Sequence, residues 1–352
     1  MRRLRSLLTA LVLVVVALWV VTPMARAMLM LRADQHPLGP APIIAGIRAA
    51  DAHFYTSDDS INFSSSTVDN PIPISGWLYV VKPAAPTVIL VPGWKDDRTS
   101  MLKYANFLVR DGVNALMIDL RGTGHSGGEF SLGLDEPKDV KAAVSYLDTL
   151  SQISNHHYGV LGVSFGAGVI IAAAGGDGGN YGGESQIVAI VADSPWATQD
   201  ATIDRLNHLQ VFGASIPLPH AATLLGHHIT FLPDAQWAID ATIGGVPDTR
   251  SALAGAKNLA PGQSLLIIHS THDDNPTTTA VDAQALYNAA KVRHKFLWMA
   301  PLGGHAGAYT AQPAAYEAKV LDFFHKYLIN VKDTPTFPRS NTNTGLPGRY
   351  GH

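Results

Sequence analysis

A serine, a histidine and an aspartate that are distant along this chain could perform nucleophilic acyl transfer together. A hydroxyl attacks a carbonyl only when an imidazole takes its proton and a carboxylate steadies the imidazolium. Ser164 is the candidate nucleophile. It stands in Gly162-Val163-Ser164-Phe165-Gly166, between an apolar run of strand length (residues 159–163) and an Ala- and Ile-rich run of helix length (165–174). A sharp strand-to-helix turn needs small residues two before and two after the serine. The helix begun there points N–H groups and its positive dipole end at the hydroxyl. The pattern is weak alone, because 32 glycines make chance matches easy. Gly124-His125-Ser126-Gly127-Gly128 is such a match, but it lies in a polar loop with no strand feeding a helix. Context selects Ser164.

Fifteen histidines could supply the base. His305 stands out in Pro301-Leu302-Gly303-Gly304-His305-Ala306-Gly307, a flexible loop after the last expected strand and beyond the serine in chain order. His125, His269 and His272 fit that role less well. The loop Ser270-Thr271-His272-Asp273-Asp274-Asn275-Pro276 offers two adjacent acids, Asp273 and Asp274, and Asp193 ends an earlier strand. His269, His272 and Asp273 could be read as metal ligands, but no compact partner set accompanies them, so no metal is expected. Pro92-Gly93-Trp94-Lys95-Asp96 follows the first parallel strand. A turn made close by Gly93 would let the Trp94 amide join that of Phe165 in holding an oxyanion; read blandly, it is an ordinary strand-to-helix turn.

The elements that must position these groups are legible as two periods. Short, nearly continuous apolar runs at 87–91, 115–119, 159–163, 188–192, 265–269 and 295–299 suit parallel strands buried on both faces. Helical patterns at 100–110, 137–150, 165–174, 279–290 and 314–329 alternate with them, and Pro137 marks a helix start. Residues 53–82 alternate as strands around a polar turn at 57–60, with Pro71 and Pro73 suggesting an edge strand. The fold class is therefore α/β, a doubly wound, mostly parallel sheet with its chemistry at the carboxyl ends of the strands.

At 352 residues and 47% hydrophobic, the chain can bury one large domain, expected at 51–329. A net charge of −3 gives no basic footprint for nucleic acid. The absence of cysteine excludes disulfides, thiolate catalysis and Cys-based zinc sites. Arg2, Arg3 and Arg5 precede an uncharged apolar run at 7–21, which reads as a membrane anchor continuing to 31, or as a signal segment cut after Ala25-Arg26-Ala27. Either puts the domain outside the cytoplasm, tethered to the cell membrane or secreted. Residues 32–50 read as a linker and 330–352 as a disordered tail. The glycine-rich run at 175–183 lacks a Walker lysine and reads as a flexible loop.

Taken together these residues resemble the α/β-hydrolase superfamily from about Gly76 to Ile329, in the order Ser, Asp, His. Asp119-Leu120-Arg121-Gly122-Thr123-Gly124-His125-Ser126-Gly127-Gly128 looks like the family's D-x-R-G-x-G-x-S-x-G loop. His269-Ser270-Thr271-His272-Asp273 looks like its H-G-x-x-D loop, with Ser270 replacing glycine. The chain is similar to bacterial serine hydrolases with an N-terminal membrane segment, although it has Pro92-Gly93 where relatives commonly carry His-Gly. The resemblance implies an α/β-hydrolase fold without a cofactor, with Ser164 as nucleophile, His305 as general base and acid, and Asp273 as orienting carboxylate. The Trp94 and Phe165 amides are then the oxyanion donors. The insertion at about 196–262 resembles a helical lid, and its Trp196, Phe212, Leu224, Leu225, Phe231 and Trp237 suggest an apolar pocket. The expected substrate is a small carboxylic ester with an apolar acyl or alkyl group. A peptidase or amidase using the same three residues, and a non-catalytic binding protein on this scaffold, are the alternatives.

Overall fold

Strand residues alternate between faces, so a run apolar at every position must be covered on both sides. The computed structural model, which describes residues 2–16, 32–56, 71–153, 155–176, 182–206, 208–211, 214–217 and 251–329, realises this. After helix α1 (Arg2–Val16) come strands β1 (Asp34–Gln35), β2 (Ala50–Tyr55), β3 (Pro73–Tyr79) and β4 (Thr87–Val91). A 3₁₀ turn (Arg98–Met101) leads into α2 (Leu102–Arg110), followed by β5 (Asn114–Ile118), β6 (Thr123–Gly124) and α3 (Glu136–Thr149). Then come β7 (Tyr158–Val163), α4 (Phe165–Gly175), β8 (Ile187–Asp193) and α5 (Gln199–Leu206). A hairpin, β9 (His208–Val211) and β10 (Ala214–Pro217), precedes α6 (Ala252–Asn258), β11 (Ser264–Ser270) and α7 (Ala280–Ala289). The described chain closes with β12 (His294–Ala300), α8 (Ala308–Ala311) and α9 (Pro313–Phe324), which runs into a π turn (His325–Ile329).

Eight strands form one sheet in the order β12-β11-β8-β7-β4-β5-β3-β2. Pairings from β12 through β5 are parallel, and β3 and β2 join antiparallel. Ile89 and Val91 face one apolar layer with α3, α4 and α7, while Val88 and Leu90 face another with α2 and α9. The chain leaves β4 to one side for β5 and later returns to its other side for β7, so the winding reverses there. Such a switch point opens a crevice at the carboxyl ends of the two strands, which end at Val91 and Val163. Strand β12 is the least buried of the expected runs because it is a sheet edge.

Three stretches depart from sequence expectation. Pro73 does not mark an edge: β3 lies between β2 and β5, and the proline is tolerated as the strand's first residue. The stretch read as a spacer is laid against the domain. Its Asp34 N–H donates to the Gly122 carbonyl at 2.7 Å, Tyr79 Oη donates to the Pro42 carbonyl at 2.6 Å, and Ile44 is buried. Between β8 and β11 the described residues hold a hairpin as well as helices, and α6 packs on α4. Phe212, Leu224, Leu225, Phe231 and Trp237 of that insertion lie outside the described residues, as do the turn at 57–60, most of the glycine-rich run and the tail at 330–352. Among the described residues no helix is long and apolar enough to cross a membrane; residues 17–31, which include the remainder of the apolar run and Ala25-Arg26-Ala27, are also outside them.

Candidate active site

The turn between β7 and α4 is strained by design of its sequence. Ser164 has φ 53° and ψ −114°, a left-handed conformation that side chains rarely adopt and that costs on the order of 1–3 kcal/mol. Close packing enforces it. A Cβ on Gly166 would sit 2.2 Å from the Pro92 carbonyl oxygen, and one on Gly162 would sit 2.4 Å from that of Gly166. No larger residue fits at either position. The Ser164 N–H donates to the Asp193 carbonyl at 2.7 Å, which ties the turn to the end of β8.

His305 reaches this serine from the loop after β12. Its Nε2 lies 2.8 Å from Ser164 Oγ, and its Nδ1 lies 3.0 Å from Asp273 Oδ2. A proton on Nδ1 shared with the carboxylate leaves Nε2 free to accept from the hydroxyl. Thr278 Oγ1 also lies 3.0 Å from Nδ1. Two further bonds fix the loops: the Ala306 N–H donates to Ser194 Oγ at 3.2 Å, and the Ser270 hydroxyl donates to the Gly303 carbonyl. Ser270 thus joins the acid loop to the histidine loop.

Asp273 is the acid of the adjacent pair that meets the ring. Burial works to raise its pKa, but the His305 hydrogen bond, the Asn275 N–H on Oδ1 at 3.0 Å and the positive charge of His305 outweigh that, and the carboxyl falls below its ordinary value. Among the described residues Asp274 makes no hydrogen bond or ion pair with His305. Asp193 accepts from Ser194 Oγ at 3.1 Å and from Tyr316 Oη at 3.0 Å. Burial pushes the Asp193 carboxyl up to about 6, against those two hydrogen bonds.

The other histidines are placed elsewhere. His125 Nε2 accepts the Leu38 N–H at 2.9 Å, and the His272 ring lies 3.0 Å from Thr271 Oγ1. His269 is buried with neither ring nitrogen hydrogen-bonded among the described residues, and its Nε2 lies 3.8 Å from Asp273 Oδ2. Its pKa is lowered by burial. Among the described residues no group of three His, Cys, Asp or Glu side chains is arranged to hold a metal ion. Ser126 is buried, donating to the Asp119 carbonyl and accepting the Ser75 N–H, so its hydroxyl is spent on the loop.

Two amides border Ser164. Phe165 is the first residue of α4, so its N–H has no acceptor within the helix. Trp94 follows Gly93, whose backbone lies against the serine: a Cβ there would stand 3.6 Å from Ser164 Cβ. The loop that carries Trp94 is braced from below. Asp119 accepts the Arg98 backbone N–H at 2.8 Å, Nε at 3.1 Å and an Nη at 2.6 Å, all buried. Arg121 is clamped to Asp139 in the same manner.

A cleft opens beside Ser164. Trp94, Leu132, Phe165 and Trp196 line it together with Gln199, Thr202, Thr277 and Thr278, and nearly all of the surface they expose to it is apolar. The Trp196 indole N–H donates to the Phe165 carbonyl at 2.9 Å, and its ring stacks on Phe165. Sequence reading found Trp196 but passed over Thr278 and Gln199. Thr278 is the middle of a Thr277-Thr278-Thr279 run whose last member caps α7, and nothing in the run itself marks the middle one.

A sequence model of the alpha/beta hydrolase family matches residues 88–319. The chain is 24% identical over 191 residues to the quorum-quenching protein AidA of Acinetobacter baumannii (strain MDR-ZJ06), covering 52% of this chain and 60% of AidA. It thus spans less than two thirds of that relative. It is 28% identical over 255 residues to protein YqkD of Bacillus subtilis (strain 168), covering 70% of this chain and 72% of YqkD. The fold is that of the Pyrococcus furiosus esterase Pf2001, with TM-score 0.60, 21% identity, and 84% of this chain and 98% of that one covered. With about two thirds of its length inside the family match and the sheet and elbow described above, the chain belongs to the alpha/beta hydrolase family.

Proposed function

We propose that the protein is a serine hydrolase of carboxylic esters, working through an acyl-enzyme. Ser164 Oγ bonds to the ester carbonyl carbon as its proton passes to His305 Nε2. The resulting imidazolium is steadied by Asp273, and the oxyanion by the Trp94 and Phe165 N–H groups. Collapse expels the alkoxide, which takes the proton from His305. Water then attacks the acyl-serine with His305 again as base, releasing the acid and restoring the hydroxyl. The observation that carries this reading is the 2.8 Å approach of His305 Nε2 to Ser164 Oγ, with Asp273 on the ring's far side.

The apolar surface of the cleft favours an acyl or alkyl group of low polarity, and Trp196, Gln199 and Thr202 bring the start of the segment between β8 and β11 against it. The basic start and apolar run of residues 1–31 support an anchor or export segment that holds the domain outside the cytoplasm. Hydrolysis of a chain-length series of p-nitrophenyl esters, set against aminoacyl anilides, tests the reaction. Turnover of esters with little or none of anilides is expected; the reverse order would make the protein an amidase. Alkaline carbonate extraction of membranes tests the location, with retention in the pellet expected for an anchor.

A further inference from the structure

Part of the cleft is walled by a turn that the chain adopts under strain. Leu132 lines the cleft beside Ser164, and its backbone has φ 53°, in the left-handed region that bulky residues avoid. Gly133, the next residue, has φ 93°. Ser131 and Gly133 are buried on either side of a half-buried Leu132, and of the three only the leucine lines the cleft.

A buried carboxyl group holds the turn in that shape. Glu136, which has no exposed surface, accepts the Ser131 N–H at 2.5 Å, the Ser131 hydroxyl at 2.6 Å and the Gly133 N–H at 2.7 Å. The Ser131 hydroxyl in turn accepts the Asp135 N–H at 2.9 Å. The turn also abuts Trp196, since a Cβ on Gly133 would stand 2.7 Å from indole Cζ2. That indole donates to the Phe165 carbonyl, next to the nucleophile. Leu132 is thus fixed relative to Ser164 by bonds made through its neighbours. Strain of this kind persists only where the surroundings enforce it, and here they enforce the position of one apolar side chain in the cleft.

Because the cleft exposes almost only apolar surface, the group that fits it is a hydrocarbon chain. We infer that Leu132 is a specificity residue that limits the length of that chain, and that the Glu136 clamp keeps it in place to do so. The favoured substrates are short straight-chain esters, and kcat/KM falls once the chain meets the leucine. This rests on the ester hydrolase reading above and narrows its substrate class. In an apolar site one methylene more or fewer changes kcat/KM by about tenfold or more, so a change in the size of residue 132 resets the preferred length.

The test measures kcat/KM of full-length protein on two series, p-nitrophenyl esters of straight-chain acids and acetates of straight-chain alcohols, each running from short to long chains. In one series Leu132→Ala should move the optimum to a longer chain, raising kcat/KM for that ester relative to the wild-type optimum by about tenfold. Leu132→Phe should move it to a shorter chain in the same series, with folding of both variants checked by thermal melting. Opposite shifts separate this role from a merely structural one, which would lower every ester alike. Profiles that superimpose on the wild type's in both series, or that both shift in one direction, would overturn the inference. Binding of straight-chain methyl esters to Ser164→Ala protein, measured by calorimetry with each residue at position 132, gives a readout independent of turnover. Failure of hydrolysis with a binding optimum that still moves with residue 132 would sink the catalytic reading alone; hydrolysis with no shift in either assay would sink this inference alone.

Discussion

Asp273 Oδ2 lies 3.0 Å from His305 Nδ1, while the adjacent Asp274 makes no hydrogen bond or ion pair with that ring among the described residues. The two acids should therefore separate cleanly. Asp273→Asn is expected to lower kcat about 10³- to 10⁴-fold, because the ring loses both its orientation and the charge that steadies it. Asp274→Asn should stay within about threefold of wild type. Steady-state kinetics on one ester suffice to check both.

Gly168 makes room for Trp196: a Cβ there would sit 2.2 Å from the indole Nε1 that bonds the Phe165 carbonyl. Gly168→Ala should displace the indole and cost about 1–3 kcal/mol by overpacking, with a rise in KM as the apolar wall shifts. Urea unfolding and ester kinetics on the same preparation check the two effects.

The Arg98–Asp119 pair is almost wholly buried and ties the Trp94 loop to the loop after β5. Arg98→Met leaves the Asp119 carboxylate without its counter-charge, a change expected to cost about 3–5 kcal/mol. The midpoint of urea unfolding should fall with the slope unchanged.

Asp193 titrates in the folded protein at about 6, above the ordinary carboxylate value of 3.8. Between those two values the folded state holds a proton that the unfolded state has released, so the group's contribution to stability falls as pH rises through that window. Each pH unit in this regime is about 1.4 kcal/mol, making the whole change on the order of 3 kcal/mol. Replacing the acid by Asn should remove this slope, and the difference in unfolding free energy between wild type and Asp193→Asn should vary with pH between about 4 and 6 and flatten above. A pH-independent difference would contradict it.

Elements buried on both faces were the most legible part of the chain. The run at 87–91 matched β4 residue for residue, and the ends of the other parallel strands differed from the expected runs by no more than one residue. The turn glycines were readable because Gly162 and Gly166 admit no Cβ. Where contacts use groups that every residue carries, composition is silent. The spacer is fastened partly through the Asp34 N–H and the Pro42 carbonyl, and its side-chain anchors, Ile44 in the core and Gln35 on the Ser126 carbonyl, are isolated residues with no strand or helix period to announce them. Thr278 and Gln199 escaped notice for a related reason. Their places depend on loops and helices brought together from remote parts of the chain, and their types are common in turns and at helix starts. Asp273 was favoured over Asp274 only through the likeness of its loop to a known family, because local pattern does not rank neighbours.

The most direct measurement treats folded protein with a fluorophosphonate and follows the adduct by intact mass and peptide mapping. The account predicts one adduct on Ser164, absent in Ser164→Ala and formed at least about 10³-fold more slowly in His305→Ala. No adduct on folded wild type, or labelling of His305→Ala at the wild-type rate, would contradict it.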